Sequence, residues 1–270
     1  MYDHDKIDMP KVAEIPLKEK DVGSQYLYFS HQYNAYPIEE ENIRNARHAY
    51  YGMISYTDAL IGKLIDTLEE TGLDENTVVV FVSDHGEMLG ERGMWHKMSM
   101  FEHSVRIPMF ISGSGITAQR DSSNVSIIDI APTLIEMAGG KLEDLPVTLA
   151  GRSLKKSIIS DAKTGEDQGK NDFPVISDFS AGGAPGPVRM VKKGSYKLVL
   201  TYGYDPLLYN LAEDPSELFN LATDPANAEL RARMAGRKLI TGEYEAAQKL
   251  LDNTPFGIDH ALLHVVEGRL

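Results

Sequence analysis

Residues Val78 to Arg106 read VVVFVSDHGEMLGERGMWHKMSMFEHSVR, a run of buried-strand character that ends in an Asp-His-Gly corner and continues into Trp-His-Lys. Thr77-Val-Val-Val-Phe-Val-Ser83 is almost unbroken in β-branched and aromatic residues, the pattern of a central parallel strand covered on both faces. Asp84 and His85 are consecutive, so in a regular strand they would face opposite sides of the sheet. They converge on one ion only if the backbone leaves the pleat there. Gly86 offers that turn through the wide range of dihedral angles open to glycine. Ligands of open α/β sheets sit in the crevice at strand carboxyl ends, where this corner falls. A carboxylate oxygen beside an imidazole nitrogen suits a divalent ion such as Mn or Zn, whereas carboxylates alone favour Mg or Ca. The plain alternative is a turn-capping Asp84 and a hydrogen-bonded His85, and the tripeptide by itself leaves both open.

The stretch that follows adds a cation. Gly86, Gly90 and Gly93 interrupt Glu87-Met-Leu and Glu91-Arg, which predicts an irregular loop over the sheet edge, where functional residues collect. Trp95 is the one tryptophan of the chain, and His96 and Lys97 follow it. Lys97 suits a tetrahedral oxyanion as a compact charge, and His96 could donate to the same anion or protonate a leaving oxygen. Either residue alone is commonly a solvated surface group.

At this point the residues carry a resemblance. The block TVVVFVSDHGEMLGERGMWHKMSMFEHSVRIPMFISGSG resembles the C-terminal signature of the sulfatase family within the alkaline phosphatase superfamily, and is most similar to choline-sulfatase-like members. YYGMISYTDALIGKLIDTLEETGL before it, and SIIDIAPTLIEMAG and LYNLAEDPSELFNLATDP after it, extend the likeness from about Tyr50 to Pro225. The resemblance implies an α/β fold: part of an alkaline-phosphatase-like mixed or parallel sheet flanked by helices, plus a small C-terminal antiparallel-sheet subdomain with a packed helix. It implies Asp84 and His85 as ligands of one divalent metal ion (Ca, Mg, Mn or Zn), and Lys97 as the contact to the sulfate and its bridging oxygen. His96 falls where this loop varies among relatives. Choline-sulfatase-like members place an acidic residue near the substrate's cationic group in the block that holds Asp178, which an ordinary turn aspartate would also explain. Trp95, Phe179, Tyr202 and Tyr204 are the aromatic faces such a cation would need. The implied partner is a small sulfate ester, in a full-length protein that forms homo-oligomers.

One departure is equally informative. The family attacks sulfur with formylglycine made from the Cys or Ser of a Cys/Ser-x-Pro-x-Arg motif, and these 270 residues hold 0 Cys and no Ser-x-Pro-x-Arg. The opening MYDHDKIDMPKVAEIPLKEKD resembles the acidic linker that follows the family's first half, so Met1 is expected to be internal to a longer protein. The formylglycine is then expected in that first half, and the 270 residues alone are expected to be inactive. Two other readings stay open: a phosphonate or phosphate ester hydrolase of the same superfamily, and a non-catalytic pseudoenzyme or assembly module.

Composition bounds the rest. Hydrophobic residues at 42% and charged residues at 25% are ordinary for a globular protein. A formal net charge of −13 argues against nucleic acid as a partner and leaves any anion to be captured locally. No apolar run nears the length of a membrane span. Three segments are expected: 1–42 as a surface-wrapping linker, 43–172 as the C-terminal part of the α/β core, and 173–270 as the subdomain. Helical spacing of apolar residues from about Glu41 to Thr71, stopped by Gly72, predicts a helix leading into the Val78 strand. Arg106–Ser112 reads as a second strand and Ser126–Ala138 as a short helix carrying Pro132 near its first turn. Phe173–Phe179, Val188–Lys192, Tyr196–Thr201 and Leu207–Leu211 read as a small antiparallel sheet, with helical pattern over Ala226–Leu251.

Overall fold

The computed structural model describes residues 1–33, 35–159, 173–180 and 184–235. The chain divides into two compact units, which meet in sequence at Phe173 and Pro174.

In the first unit the long helix α2 (Glu40–Thr71) leads into strand β1 (Val78–Val82), as the apolar spacing predicts. Asn42 Oδ1 accepts from the Glu39 N–H at 2.9 Å at its start. Gly72, at φ 66°, ends it with a left-handed cap in which the Leu73 N–H reaches the Leu68 carbonyl. The apolar residues Met53, Ile54, Tyr56, Leu60 and Leu64 of α2 are exposed.

β1 departs from the parallel expectation. Its partner among the described residues is β2 (Met109–Gly113), antiparallel, with Phe81 opposite Phe110 and Val80 opposite Ile111. All five β1 residues are half-buried rather than covered on both faces. The physical reason is the connection: residues 83–108 hold loop, a 3-10 turn at Glu91–Gly93 and one short α-helix, α3 (Glu102–Val105), and bring the chain back at the carboxyl end of β1. A parallel pair needs a crossover that returns to the strand's start. Ser126 opens a turn into α4 (Ile130–Met137), and Pro132 falls in that helix's first turn.

The N-terminal segment does more than wrap. It forms α1 (Val22–Ser30), an element the sequence reading did not assign, capped by Asp21 Oδ1 accepting from the Ser24 N–H at 3.1 Å. Leu27 on α1 and Ile7 before it are buried. A nine-residue helix with one buried leucine leaves too short an apolar pattern to read.

The second unit is a four-stranded antiparallel sheet in the order β3 (Val175–Phe179), β4 (Val188–Lys193), β5 (Tyr196–Thr201) and β6 (Leu207–Asn210). Leu198 and Leu208 face each other across β5 and β6 and build a core with Ala222 and Met234, the latter from the helix Ala228–Ala235. Pattern beyond Ala235, the tail and the Gly182-Gly183 pair fall outside the described residues. On the other face of β5, Lys197 is fully buried and donates to Glu217 Oε1 at 2.8 Å. Glu217→Ala is expected to cost about 3–5 kcal/mol, because a buried ammonium loses its carboxylate. Chemical denaturation reads this as a lowered midpoint.

Candidate active-site corner

The Asp-His-Gly corner lies at the carboxyl end of β1, and its geometry is set by contacts that arrive from elsewhere in the chain. The Gly86 N–H donates to the Ser104 carbonyl at 2.7 Å, and a Cβ on Gly86 would sit 2.0 Å from the His103 carbonyl oxygen. Gly86 is therefore needed for close backbone approach, and not for a special dihedral, which corrects the sequence expectation: its φ is not positive. The left-handed positions of the loop are Leu89, Gly90, Arg92, Gly93 and His96.

His85 is oriented by its other nitrogen. Its Nδ1 lies 2.7 Å from the Gly86 carbonyl oxygen, which can only accept, so Nδ1 carries the ring proton and Nε2 presents a lone pair. Lys97 Nζ donates to that lone pair at 2.5 Å, and Asp84 Oδ2 is 3.5 Å from the same nitrogen. A ligating histidine is commonly held this way, with the second nitrogen bonded to a carbonyl. The Ser83 hydroxyl donates to the His85 carbonyl at 2.8 Å, and the His85 N–H donates to Asp84 Oδ1 at 2.9 Å. Slight burial pushes the Asp84 carboxyl up. The His85 N–H, the His85 ring and Lys97 outweigh it and hold Asp84 below the usual carboxylate value. Asp84 thus stays ionised through neutral pH and is neutralised only as pH falls through its depressed value.

The structure brings Asp84, His85 and Lys97 together. His96 turns away, with its ring beside those of His31 and Tyr33 at centroid distances of 5.6 and 6.4 Å. Trp95 is half-buried; it lines a cavity of about 590 Å³ with Tyr28, Tyr33 and Tyr36. Asp178, in the second unit, is gripped across β3 and β4 by Arg189, with Nε–Oδ1 at 2.7 Å and Nη2–Oδ2 at 2.8 Å. A cationic ligand at Asp178 would have to compete with that guanidinium.

The loop that carries Trp95 to Lys97 is tied down by groups that the motif itself does not show. Buried Glu91 accepts from the Lys11 and Val12 N–H groups at 3.0 and 2.9 Å, and Lys20 Nζ donates to the Arg92 carbonyl at 2.8 Å. The Tyr33 hydroxyl donates to the Trp95 carbonyl at 2.7 Å. Burial, aided by the charge of Glu87 and opposed by the Trp95 contact, pushes the Tyr33 phenol up to about 12. A raised phenol favours the folded state fully below the ordinary value near pH 10 and loses that contribution as pH rises toward 12. Titration at 295 nm is therefore expected to show a late-ionising group of tyrosines that includes Tyr33, and Tyr33→Phe is expected to take one tyrosine out of that late phase.

As a metal centre the corner is partial. Asp84 and His85 offer a carboxylate and an imidazole lone pair, which fit a divalent ion as two of its ligands once Lys97 Nζ, which here donates to that lone pair, gives it up to the ion. Among the described residues no group of three or more His, Asp or Glu side chains could hold such an ion.

This mixed α/β architecture, with acid, imidazole and ammonium gathered at a strand's carboxyl end, defines a class that comparison with known proteins identifies. The sulfatase family model matches residues 20–140, and the model for the C-terminal region of N-sulphoglucosamine sulphohydrolase matches residues 90–242. The chain belongs to the sulfatase family, whose members are generally metal-dependent. It is 38% identical over 216 residues to the choline-sulfatase of Rhizobium meliloti, covering 80% of this chain and 41% of that protein. It is 37% identical over 191 residues to arylsulfatase K of Mus musculus, covering 68% of this chain and 34% of that protein. The phosphonate monoester hydrolase of Silicibacter pomeroyi superposes with a TM-score of 0.69 at 25% identity, over 88% of this chain and 51% of that one. The chain thus spans less than half the length of these two sequence relatives, and its fold is of the alkaline-phosphatase-like type.

Proposed function

We propose that this chain supplies the metal- and oxyanion-binding part of a sulfuric ester hydrolase. The observation that carries the reading is the 2.5 Å approach of Lys97 Nζ to His85 Nε2, with Asp84 alongside. Lys97 would bind an oxygen of the sulfate and stabilise the charge that grows there and on the bridging oxygen as the ester bond breaks. Asp84 and His85 would hold the metal. When bound, that ion would withdraw charge from the sulfate oxygens as a Lewis acid. Trp95 would border the site. The group that attacks sulfur, a formylglycine in this family, is proposed to come from residues outside these 270, which hold 0 Cys.

A second reading has its own support. The likeness to a phosphonate monoester hydrolase is nearly as long as the chain, and an ammonium beside a metal ligand serves phosphoryl as well as sulfuryl oxygens. The test joins this sequence to a formylglycine-bearing first half and assays aryl sulfate, aryl phosphate and aryl phosphonate esters in parallel. A preference for the sulfate ester of at least about tenfold in kcat/KM, or about 1.4 kcal/mol in the barrier, is expected. A preference for phosphonate would reverse the assignment. The 270 residues alone are expected to show no turnover, and clear turnover by the purified chain would overturn the placing of the nucleophile outside it.

A further inference from the structure

Two backbone N–H groups of the site loop point at one oxygen. Glu87 Oε1 accepts from the His96 N–H at 2.6 Å and from the Leu89 N–H at 3.4 Å. Both donors belong to residues with a side chain in the left-handed region, Leu89 at φ 47° and His96 at φ 68°. Such residues stay there only where their surroundings hold them. Between these points the Met88 N–H donates to the His96 carbonyl at 3.0 Å, so residues 87–89 and 96 close the neck of the loop.

The turn at His96 decides where two consecutive side chains go. The His96 ring lies beside His31 and Tyr33, while the next residue, Lys97, reaches back to His85 Nε2. The left-handed backbone at residue 96 sets the direction in which the chain leaves toward Lys97, and so where the lysine side chain starts. A carboxylate is suited to the task, because charge-assisted bonds to N–H groups are shorter and stronger than neutral ones, and the 2.6 Å contact is of that kind.

We propose that Glu87 is the positioning residue of the oxyanion site: its carboxylate holds His96 in the left-handed turn and thereby aims Lys97 at His85. The inference rests on the reading of Lys97 and His85 as the oxyanion-binding pair. Glu87 itself makes no contact with the reacting atoms. It acts through the backbone of His96, and its charge also reaches Tyr33 and Tyr50 on the neighbouring elements. Glutamine in its place would still accept through its amide oxygen, more weakly, whereas alanine would leave both N–H groups without this acceptor.

The test is nuclear magnetic resonance on the whole 270-residue chain, comparing wild type, E87Q and E87A. E87A is expected to speed exchange of the His96 amide by about tenfold or more, the protection that a hydrogen bond to a charged group confers. The nuclear Overhauser contact between the Lys97 side chain and the His85 ring is expected to vanish in E87A. E87Q is expected to fall between wild type and E87A in both measurements. Amides of β1 and α2 are expected to keep wild-type protection, which separates positioning from a general structural role. A Lys97–His85 contact at wild-type strength in folded E87A, or loss of protection throughout β1 and α2 in both variants, would overturn the proposal. If E87A does not fold, E87Q decides alone: wild-type exchange and contact there refute it. The measurement reads the side-chain contact whether or not any ester is hydrolysed, so its failure and failure of the sulfatase reading are distinguishable.

Discussion

Lys97→Ala is expected to lower turnover of a sulfate ester by about 10²–10³-fold, the range found when one preorganised donor to a developing oxyanion is removed. The measurement uses the polypeptide that joins this sequence to a formylglycine-bearing half. The loss is expected mainly in kcat, because the charge that Lys97 meets grows as the ester bond breaks. Stability is expected to change by less than about 0.5 kcal/mol, since the Lys97 side chain is exposed and its contact to His85 is solvent-accessible. Lys97→Arg is expected to recover little, because a planar fork does not occupy the place of a compact ammonium 2.5 Å from His85 Nε2. Near-wild-type turnover in Lys97→Ala would remove the lysine from the mechanism.

The second large effect concerns the metal. His85→Ala removes the imidazole whose Nε2 lone pair is set by the bond from Nδ1 to the Gly86 carbonyl. Outer groups that merely orient a ligand typically cost 10–100-fold in metal affinity, so loss of this direct ligand is expected to exceed about 100-fold. Asp84→Asn keeps the size of the side chain and removes its charge, and is expected to weaken binding strongly as well. Isothermal titration of the joined polypeptide with Mn²⁺ and Ca²⁺ gives both values. Unchanged affinity in His85→Ala would place the ion elsewhere. The 270-residue chain by itself is expected to bind weakly, because two ligands rarely hold a divalent ion.

Much of the fold was legible. The helix over Glu40–Thr71 and its Gly72 stop, the β1 run, and the four strands of the second unit all follow from apolar period and turn residues. Asp84 and His85 at a strand's carboxyl end, and Lys97 beyond them, were readable from residue type and order. Other features were not readable from local pattern. The direction of β2 depends on the path of 25 or so intervening residues, whose pattern constrains it only weakly. Gly86 looked like a turn residue and is a close-approach residue, a difference decided by His103, which lies far along the loop. His96 looked like a partner of Lys97, yet its ring lies beside His31 and Tyr33, residues that no local pattern links to it. Asp178 looked free for a ligand, yet Arg189 stands opposite it once β3 and β4 are in register.

The sequence by itself determined which segments become helix and strand, and which side chains could bind a metal and an anion. Those properties are local: periodicity, β-branching, glycine stops and the donor chemistry of each residue. Only the tertiary structure decided that Lys97 meets His85. That meeting depends on a loop whose groups are satisfied from a distance: the Glu91 carboxylate by the Lys11 and Val12 N–H groups, the Arg92 carbonyl by Lys20 and the Trp95 carbonyl by Tyr33. A buried or half-buried loop must find partners for its N–H and carbonyl groups, and here those partners come from elements that no spacing rule connects to it.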